Sequence, residues 1–278
     1  MASINPPLNL ARILCLHGGG VNATVFRMQC RRFLNGPLSS HFRLVFVDGP
    51  FLCSAHPAIE RVYGDYGPFY RWLRWQDEHD EVHAHEAAGM ILSQCKAAMD
   101  SDPGTGDWVG VLGFSQGAKI AASLLLLQER MAKVVDGSYS LPELGANVSL
   151  PELGANVSFR FGVLMAGSAP LVDLDPTGTL GSTPRHVATA DGLSMAFADW
   201  PESNEGEHAI GIPTLHVHGL QDPGIDRHRK LMTLYCKTGT AKLAEWDGDH
   251  RIPIKTPDVD LVVSKVLDLA RRTGVLYD

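Results

Sequence analysis

The sequence predicts an α/β fold in which a mostly parallel central sheet is flanked by helices. Short apolar runs typical of buried strands alternate with longer segments that have helical composition. Strand, helix, strand units imply parallel pairing through crossover connections. A chain of 278 residues can bury a large core. We therefore expect one domain over residues 1–278, with no large separate cap domain.

Composition and charge argue against several classes of function. The net charge is −7 and the pI is about 5.9, which argues against nucleic acid or anionic membranes as partners. The five cysteines lack Cys-x-x-Cys spacing, so neither a disulfide framework nor a zinc site is indicated. The N-terminus lacks a secretory h-region, and no apolar stretch is long enough to span a membrane. A cytoplasmic location is expected.

A strand predicted at residues 12–16 runs directly into a glycine-rich loop. The loop reads His17-Gly18-Gly19-Gly20. Such a loop can direct a backbone N–H at a developing oxyanion, and Gly19 is the candidate donor. The alternative is a flexible turn that simply ends the strand. A phosphate cradle is not indicated, because the lysine and hydroxyl of that motif are absent. A helix over 24–34 and a strand over 43–47 follow.

Residues 51–76 carry many aromatic side chains for a connection between elements. Loops at the carboxyl ends of parallel strands tend to build the functional site. We therefore expect this segment to form part of an apolar substrate pocket or its cover. The alternative is that the rings only pack a satellite core beneath the loop. The candidate pocket residues are Phe51, Phe69, Tyr70, Trp72 and Trp75.

The chain is organised around a serine on a tight turn. After a helix predicted over 81–99, the apolar run 109–112 feeds into Gly113-Phe114-Ser115-Gln116-Gly117, and an alanine- and leucine-rich helix follows. A strand, turn and helix of this type hold the serine in a strained conformation at the edge of a sheet. Ser115 is the candidate nucleophile, and the Gln116 N–H is the second candidate oxyanion donor.

The middle of the chain contains a tandem repeat. Residues 140–148 recur at once as residues 149–157, each reading Ser-Leu-Pro-Glu-Leu-Gly-Ala-Asn-Val. Two copies are too few for a solenoid, so a lengthened surface loop is expected. A strand over 159–166 follows, and then an irregular segment, 169–212, which we interpret as a lid with short helices, for example around 193–200.

Two polar residues past later strands complete a catalytic set with Ser115. Asp222 follows a strand at 213–217 and is the candidate acid that orients a histidine, with Asp226 as the alternate. His250 lies between a strand at 242–246 and a helix at 257–271. The chain order serine, acid, histidine is thus satisfied.

Metal and cofactor sites are not expected. His216 and His218 share a face of their strand, but no third ligand is near in sequence. His83 and His85 are two apart on a predicted helix and face different directions. The proposed chemistry, attack by a serine on a carbonyl, needs neither a metal nor an organic cofactor.

Several motifs together resemble those of the fungal serine hydrolases related to the lovastatin polyketide thioesterase and the citrinin pathway hydrolase. They are Leu16-His17-Gly18, Gly67-Pro68-Phe69-Tyr70-Arg71-Trp72, Gly113-Phe114-Ser115-Gln116-Gly117, His216-Val217-His218-Gly219 with Asp222, and Gly248-Asp249-His250. The resemblance implies an α/β-hydrolase fold and a triad at Ser115, Asp222 and His250. Gly19-Gly20 depart from the pattern, since many relatives have a bulkier residue there.

The resemblance also implies a substrate class. Some such proteins release a finished polyketide from the acyl carrier protein of an iterative synthase. Our leading hypothesis is therefore hydrolysis of an acyl thioester or ester. The alternatives are capture of the acyl-serine by a substrate hydroxyl to give a lactone, a carboxylesterase acting on small apolar esters, and a binding module without catalysis.

Overall fold

A computed structural model of the protein describes residues 7–135, 153, 157–193 and 196–277. Six strands form a parallel central sheet in the order β2-β1-β5-β6-β7-β8, and β3 pairs antiparallel with β4 in a separate hairpin. The strands are β1 Ala11–Leu16, β2 Phe42–Val47, β3 Phe51–Cys53, β4 Phe69–Arg71, β5 Trp108–Phe114, β6 Val157–Met165, β7 Thr214–Gly219 and β8 Ala241–Trp246.

Helices connect these strands and cover both faces of the sheet. Their bounds are α1 Ala23–Gln29, α2 Arg31–Leu34, α3 Leu38–His41, α4 Pro57–Tyr63, α5 Ala84–Ser101, α6 Gln116–Val135, α7 Ile225–Leu234 and α8 Thr256–Arg272, with a 3₁₀ turn at Gly64–Tyr66. Buried residues of α5 and α6 belong to one core cluster, and those of α1 and α8 belong to another. The predicted α/β class is confirmed.

All seven residues of β5 are buried, as expected for a central strand covered by helices on both faces. Because the strands are parallel, their carboxyl ends lie along one edge of the sheet. The loops after β1, β5, β7 and β8 all leave from this edge. The candidate residues in these loops are therefore brought together by sheet topology alone.

The predicted strands and long helices are confirmed, with three differences. The helix predicted over 24–34 is divided into α1 and α2 at Cys30, whose backbone leaves the helical region. The β3–β4 hairpin and the helices α3, α4 and α7 were not predicted, and strands of three residues show no usable periodicity. The described residues around 193–200 are not helical.

The first part of the irregular segment 169–212 packs onto α6. Its residues Leu171 and Val172 are buried in the core. The Val172 N–H donates to Ser123 Oγ at 2.9 Å, and Arg130 and Asp173 form an ion pair at 2.6 Å. Most of the 140–157 repeat lies outside the described residues. No helix in the described part of the chain is long and apolar enough to cross a membrane.

Candidate active site

Ser115 lies on a sharp turn between β5 and α6. Its φ is +55°, a left-handed conformation that side-chain-bearing residues rarely adopt. A Cβ added to Gly113 would collide with the Gly117 carbonyl, and one added to Gly117 would collide with the Leu16 carbonyl. The Ser115 N–H donates to the Met165 carbonyl at 2.9 Å. The two glycines thus allow the close backbone approach that fixes this turn.

Ser115, His250 and Asp222 form one hydrogen-bonded chain. His250 Nε2 is 2.9 Å from Ser115 Oγ, and His250 Nδ1 is 2.6 Å from Asp222 Oδ2. Since the carboxylate only accepts, Nδ1 carries the proton and Nε2 is free to accept the serine hydroxyl proton. The structure therefore brings together the three residues that the sequence selected, with the alternate Asp226 on the first turn of α7.

Asp222 is held as an acceptor in a buried position. Its side chain is 1% exposed, and the Gly224 N–H also donates to it, at 2.8 Å. Burial acts to raise the pKa of Asp222, but the hydrogen bonds from His250 and Gly224 outweigh it, so the pKa lies below its usual value. The carboxylate is charged at neutral pH and orients the imidazole.

The loop that carries His250 is anchored to the end of β7. The Gln221 N–H donates to the Gly248 carbonyl at 2.8 Å, and a Cβ on Gly219 would lie only 2.5 Å from that same oxygen. The Phe114 ring lies 5.1 Å from the His250 ring. The His250 side chain itself is 39% exposed, so water reaches the base.

The glycine-rich loop after β1 lies against the nucleophile. A Cβ added to Gly18 would be 3.4 Å from the Ser115 Cβ. Among the described residues, no hydrogen-bond acceptor is assigned to the N–H of either Gly19 or Gln116. An oxyanion hole requires free N–H donors beside the nucleophile, so both groups stay candidates for that role.

The side chain of Gln116 ties the start of α6 to the segment after β4. Its Oε1 accepts from the N–H groups of Trp72, at 2.6 Å, and Leu73, at 3.1 Å, and its Nε2 donates to the Leu73 carbonyl at 3.0 Å. Trp72 in turn donates its indole N–H to the His17 carbonyl at 2.9 Å. The turn that carries Ser115 and the glycine-rich loop are therefore linked through Trp72.

His17 fixes the base of the same loop. Its Nδ1 is 2.6 Å from the Gly18 carbonyl, and its Nε2 accepts from the Gly49 N–H at 2.9 Å, which requires the proton on Nδ1. Burial lowers the pKa of His17 to about 4. The side chain is therefore a neutral structural bridge between two loops.

The aromatic segment is mostly core, which corrects part of the pocket prediction. Trp72 is fully buried, and Phe51 and Phe69 are each 8% exposed and belong to the core clusters. Trp75 is only partly buried, and its ring lies 2.7 Å from where a Gly19 Cβ would be. Tyr70 is also partly buried. Of the five candidate pocket residues, only Tyr70 and Trp75 are exposed enough to contact a ligand.

The sequence analysis did not identify two histidines that lie beside the hydrogen-bonded residues of the site. His228, on α7, is 1% exposed, and its Nδ1 is 3.8 Å from Asp222 Oδ2. His56 is exposed, and its pKa is lowered by partial burial and by the charge of His250. A signal for His228 was present, because His228 and Leu231 are three apart and form the buried side of α7.

Comparisons with known proteins agree with this geometry. A family model described as Serine hydrolase (FSH1) matches residues 8–262. The chain is 46% identical to esterase pigG of Monascus ruber over 99% of this chain and 97% of that protein, and 42% identical to esterase citA of the same organism over 98% and 96%. The crystal structure of Zea mays acyl-protein thioesterase 2 superposes with a TM-score of 0.52 at 14% identity, covering 95% of each chain. The protein therefore has the α/β-hydrolase fold and belongs to the serine hydrolase (FSH1) family.

Proposed function

We propose that this serine hydrolase is a thioesterase that acts in trans, releasing a polyketide from the acyl carrier protein of an iterative synthase. The observation that carries the proposal is the hydrogen-bonded chain of Ser115, His250 and Asp222. The polyketide and its carrier rest on the resemblance of the sequence motifs. The relatives described above are named esterases, which supports acyl transfer in general.

The reaction begins with acylation of the serine. Ser115 Oγ attacks the thioester carbonyl while His250 Nε2 takes its proton. Asp222 stabilises the imidazolium that forms, and the N–H groups of Gly19 and Gln116 donate to the tetrahedral oxyanion. The intermediate collapses with cleavage of the C–S bond, and His250 returns the proton to the leaving thiolate. The products are a free thiol and an acyl-serine.

Water then completes the cycle. His250 Nε2 takes a proton from a water molecule, whose oxygen attacks the acyl-serine carbonyl. Collapse of the second intermediate breaks the bond to Ser115 Oγ, which regains the proton from His250, and releases a carboxylic acid. The 39% exposure of the His250 side chain favours water over an internal hydroxyl as the attacking group. We therefore place hydrolysis ahead of lactone formation.

Labelling with a fluorophosphonate probe tests the catalytic roles. The wild type should be labelled once, and the Ser115→Ala variant should not be labelled. A wild-type protein that is folded by circular dichroism yet unreactive would favour a binding module without catalysis.

A comparison of matched substrates tests whether the enzyme acts on an acyl group bound to a carrier protein. One acyl group is presented as a simple N-acetylcysteamine thioester and as a thioester of phosphopantetheinyl acyl carrier protein, with a small apolar ester as the third substrate. A higher kcat/KM on the carrier-bound form is expected, and mass spectrometry of the product separates acid from lactone. Equal kcat/KM on both thioesters would remove the carrier from the proposal, and preference for the small ester would indicate a carboxylesterase.

A further inference from the structure

A second histidine, which is buried, faces the catalytic carboxylate. His228 lies on α7, three residues beyond the helix start, and is 1% exposed. Its Nδ1 is 3.8 Å from Asp222 Oδ2, and the atom has no hydrogen-bond partner among the described residues. The rings of His228 and His250 lie 6.0 Å apart, tilted by 35°. An unpartnered polar atom at this depth is rare, and it calls for an explanation.

Three ligand atoms converge at this point. One atom each of Asp222, His228 and His250 lies within 4.8 Å of the other two. Two imidazole nitrogens and one carboxylate oxygen form a donor set suited to Zn²⁺, and three protein ligands with a fourth position left for water are a common zinc arrangement. Mg²⁺ and Ca²⁺ prefer oxygen ligands and fit this set poorly.

The three atoms need only a small adjustment to hold the ion. Zinc–ligand bonds of about 2 Å place tetrahedral ligand atoms roughly 3.3 Å apart. His228 is fixed by its helix, and Asp222 is held by Gly224. His250 lies on a loop and is 39% exposed, so it is the ligand that can shift. Zinc at this position replaces the proton between Asp222 and His250.

We propose that Asp222, His228 and His250 form an inhibitory Zn²⁺ site that overlaps the catalytic centre. With the metal on Nδ1 of His250, the single proton of the neutral imidazole resides on Nε2. That nitrogen then donates instead of accepting, so it cannot take the proton of Ser115 Oγ. The enzyme loses its general base while its fold and its substrate-binding surface remain. The inhibitory effect, unlike the metal binding, rests on the proposed role of His250.

Inhibition by the metal is the first test. Hydrolysis of p-nitrophenyl acetate is measured after treatment with EDTA and then with increasing Zn²⁺ or Mg²⁺. Zinc should inhibit, excess EDTA should restore the rate, and Mg²⁺ should have no effect. His228→Gln should weaken inhibition at least about tenfold relative to its own rate in EDTA, since even outer-shell changes cost that much metal affinity. His83→Gln, a change at an exposed histidine, is the matched control.

Two outcomes of this titration overturn the site. Equal zinc sensitivity in the His228→Gln variant and the wild type would do so. Loss of sensitivity in His56→Gln instead would place the metal on the exposed side of His250.

Direct binding separates this proposal from the catalytic one. Isothermal titration calorimetry of Zn²⁺ into Ser115→Ala should give one site, and the double variant with His228→Gln should lose it. This readout needs no activity, so it also serves if His228→Gln is inactive. If the EDTA-treated wild type hydrolyses no ester yet the site is found, the proposed function fails and the metal site stands. Absence of a one-to-one site in folded Ser115→Ala overturns the metal site alone.

Discussion

The Trp72 N–H and the Gln116 side chain are joined by a hydrogen bond of 2.6 Å. Gln116 thus has two parts: its backbone N–H directly follows Ser115 and has no assigned acceptor among the described residues, while its amide side chain holds the segment after β4. Because Trp72 also donates to the His17 carbonyl, it links Gln116 to the glycine-rich loop that carries Gly19, and both residues are proposed oxyanion donors.

We predict that Gln116→Ala lowers kcat about tenfold to a hundredfold, because misplacing the oxyanion donors by a fraction of an ångström loses transition-state contacts. The matched control is Gln128→Ala on the same helix. Gln128 makes the same paired bonds, at 2.8 and 3.0 Å, to the backbone of Phe159, away from the site. Both variants should lose about 1–3 kcal/mol of unfolding free energy. An equal fall of kcat in both would show that the effect is only one of stability.

Asp222→Asn should reduce kcat by about 10⁴, since an amide in this position donates to His250 Nδ1 and forces the proton onto Nε2. The measurement is steady-state hydrolysis of a p-nitrophenyl ester. Asp226→Asn, at an exposed position four residues along the chain, should leave kcat within a factor of two. A larger loss in Asp226→Asn than in Asp222→Asn would contradict the assignment of the acid.

Gly113→Ala should destabilise the fold by about 3 kcal/mol, the upper end of the usual range for an overpacked core, because the added Cβ meets fixed backbone at Gly117. Urea unfolding measures the change. Gly64→Ala is the control: its Cβ would meet only the Glu60 Cγ at 3.8 Å, and its φ of −54° suits any residue. If both variants unfold at the same urea concentration as the wild type, the turn does not require glycine.

Acid should destabilise the protein through its buried histidines. Burial, with smaller effects of the charges of His218 and His228, lowers the pKa of His216 from 6.5 to about 3. Between these values the unfolded chain binds a proton that the folded chain does not, so the free energy of unfolding falls as the pH falls. Each such group contributes about 1.4 kcal/mol per pH unit within the window.

His216→Gln removes one of these groups and tests how much it contributes to the pH dependence of the free energy of unfolding. The slope of unfolding free energy against pH, measured with urea between pH 4 and 6, should become shallower by about 1.4 kcal/mol per pH unit. His17 and His228, whose pKa values are lowered by burial to about 4, should maintain part of the slope. His83→Gln, at an exposed position, should not change it. An unchanged slope in His216→Gln would show that this histidine is already charged in the folded protein.

The sequence was most informative where a long apolar run met a polar loop. β1 and β5 are such runs, and the candidate site residues lie at the ends of β1, β5, β7 and β8 or in the loops that follow them. Parallel pairing places the carboxyl ends of the strands together. Ser115, Asp222 and His250 could therefore be selected from the sequence without knowing the distances between their side chains. The same rule selected Gly19 and Gln116 as candidate oxyanion donors, which stays a prediction.

The features that the sequence analysis missed or assigned wrongly depend on tertiary packing. Whether Trp72 lines a cavity or fills the core is decided by the residues that pack around it, and aromatic composition is the same in both cases. The β3–β4 hairpin consists of strands of three residues, stabilised by pairing between residues far apart in sequence. The spacing of His228 and Leu231 indicates the buried side of α7, but it does not show that this side lies against Asp222.

The hydrogen bond between Ser115 and His250 joins positions 135 residues apart. During synthesis, the serine turn leaves the ribosome long before its base does. The nascent chain is therefore without activity until the last strand and the loop after it have emerged and paired with β7. A partly synthesised form of this serine hydrolase should therefore be inactive, and activity-probe labelling of translation intermediates would report when the sheet closes.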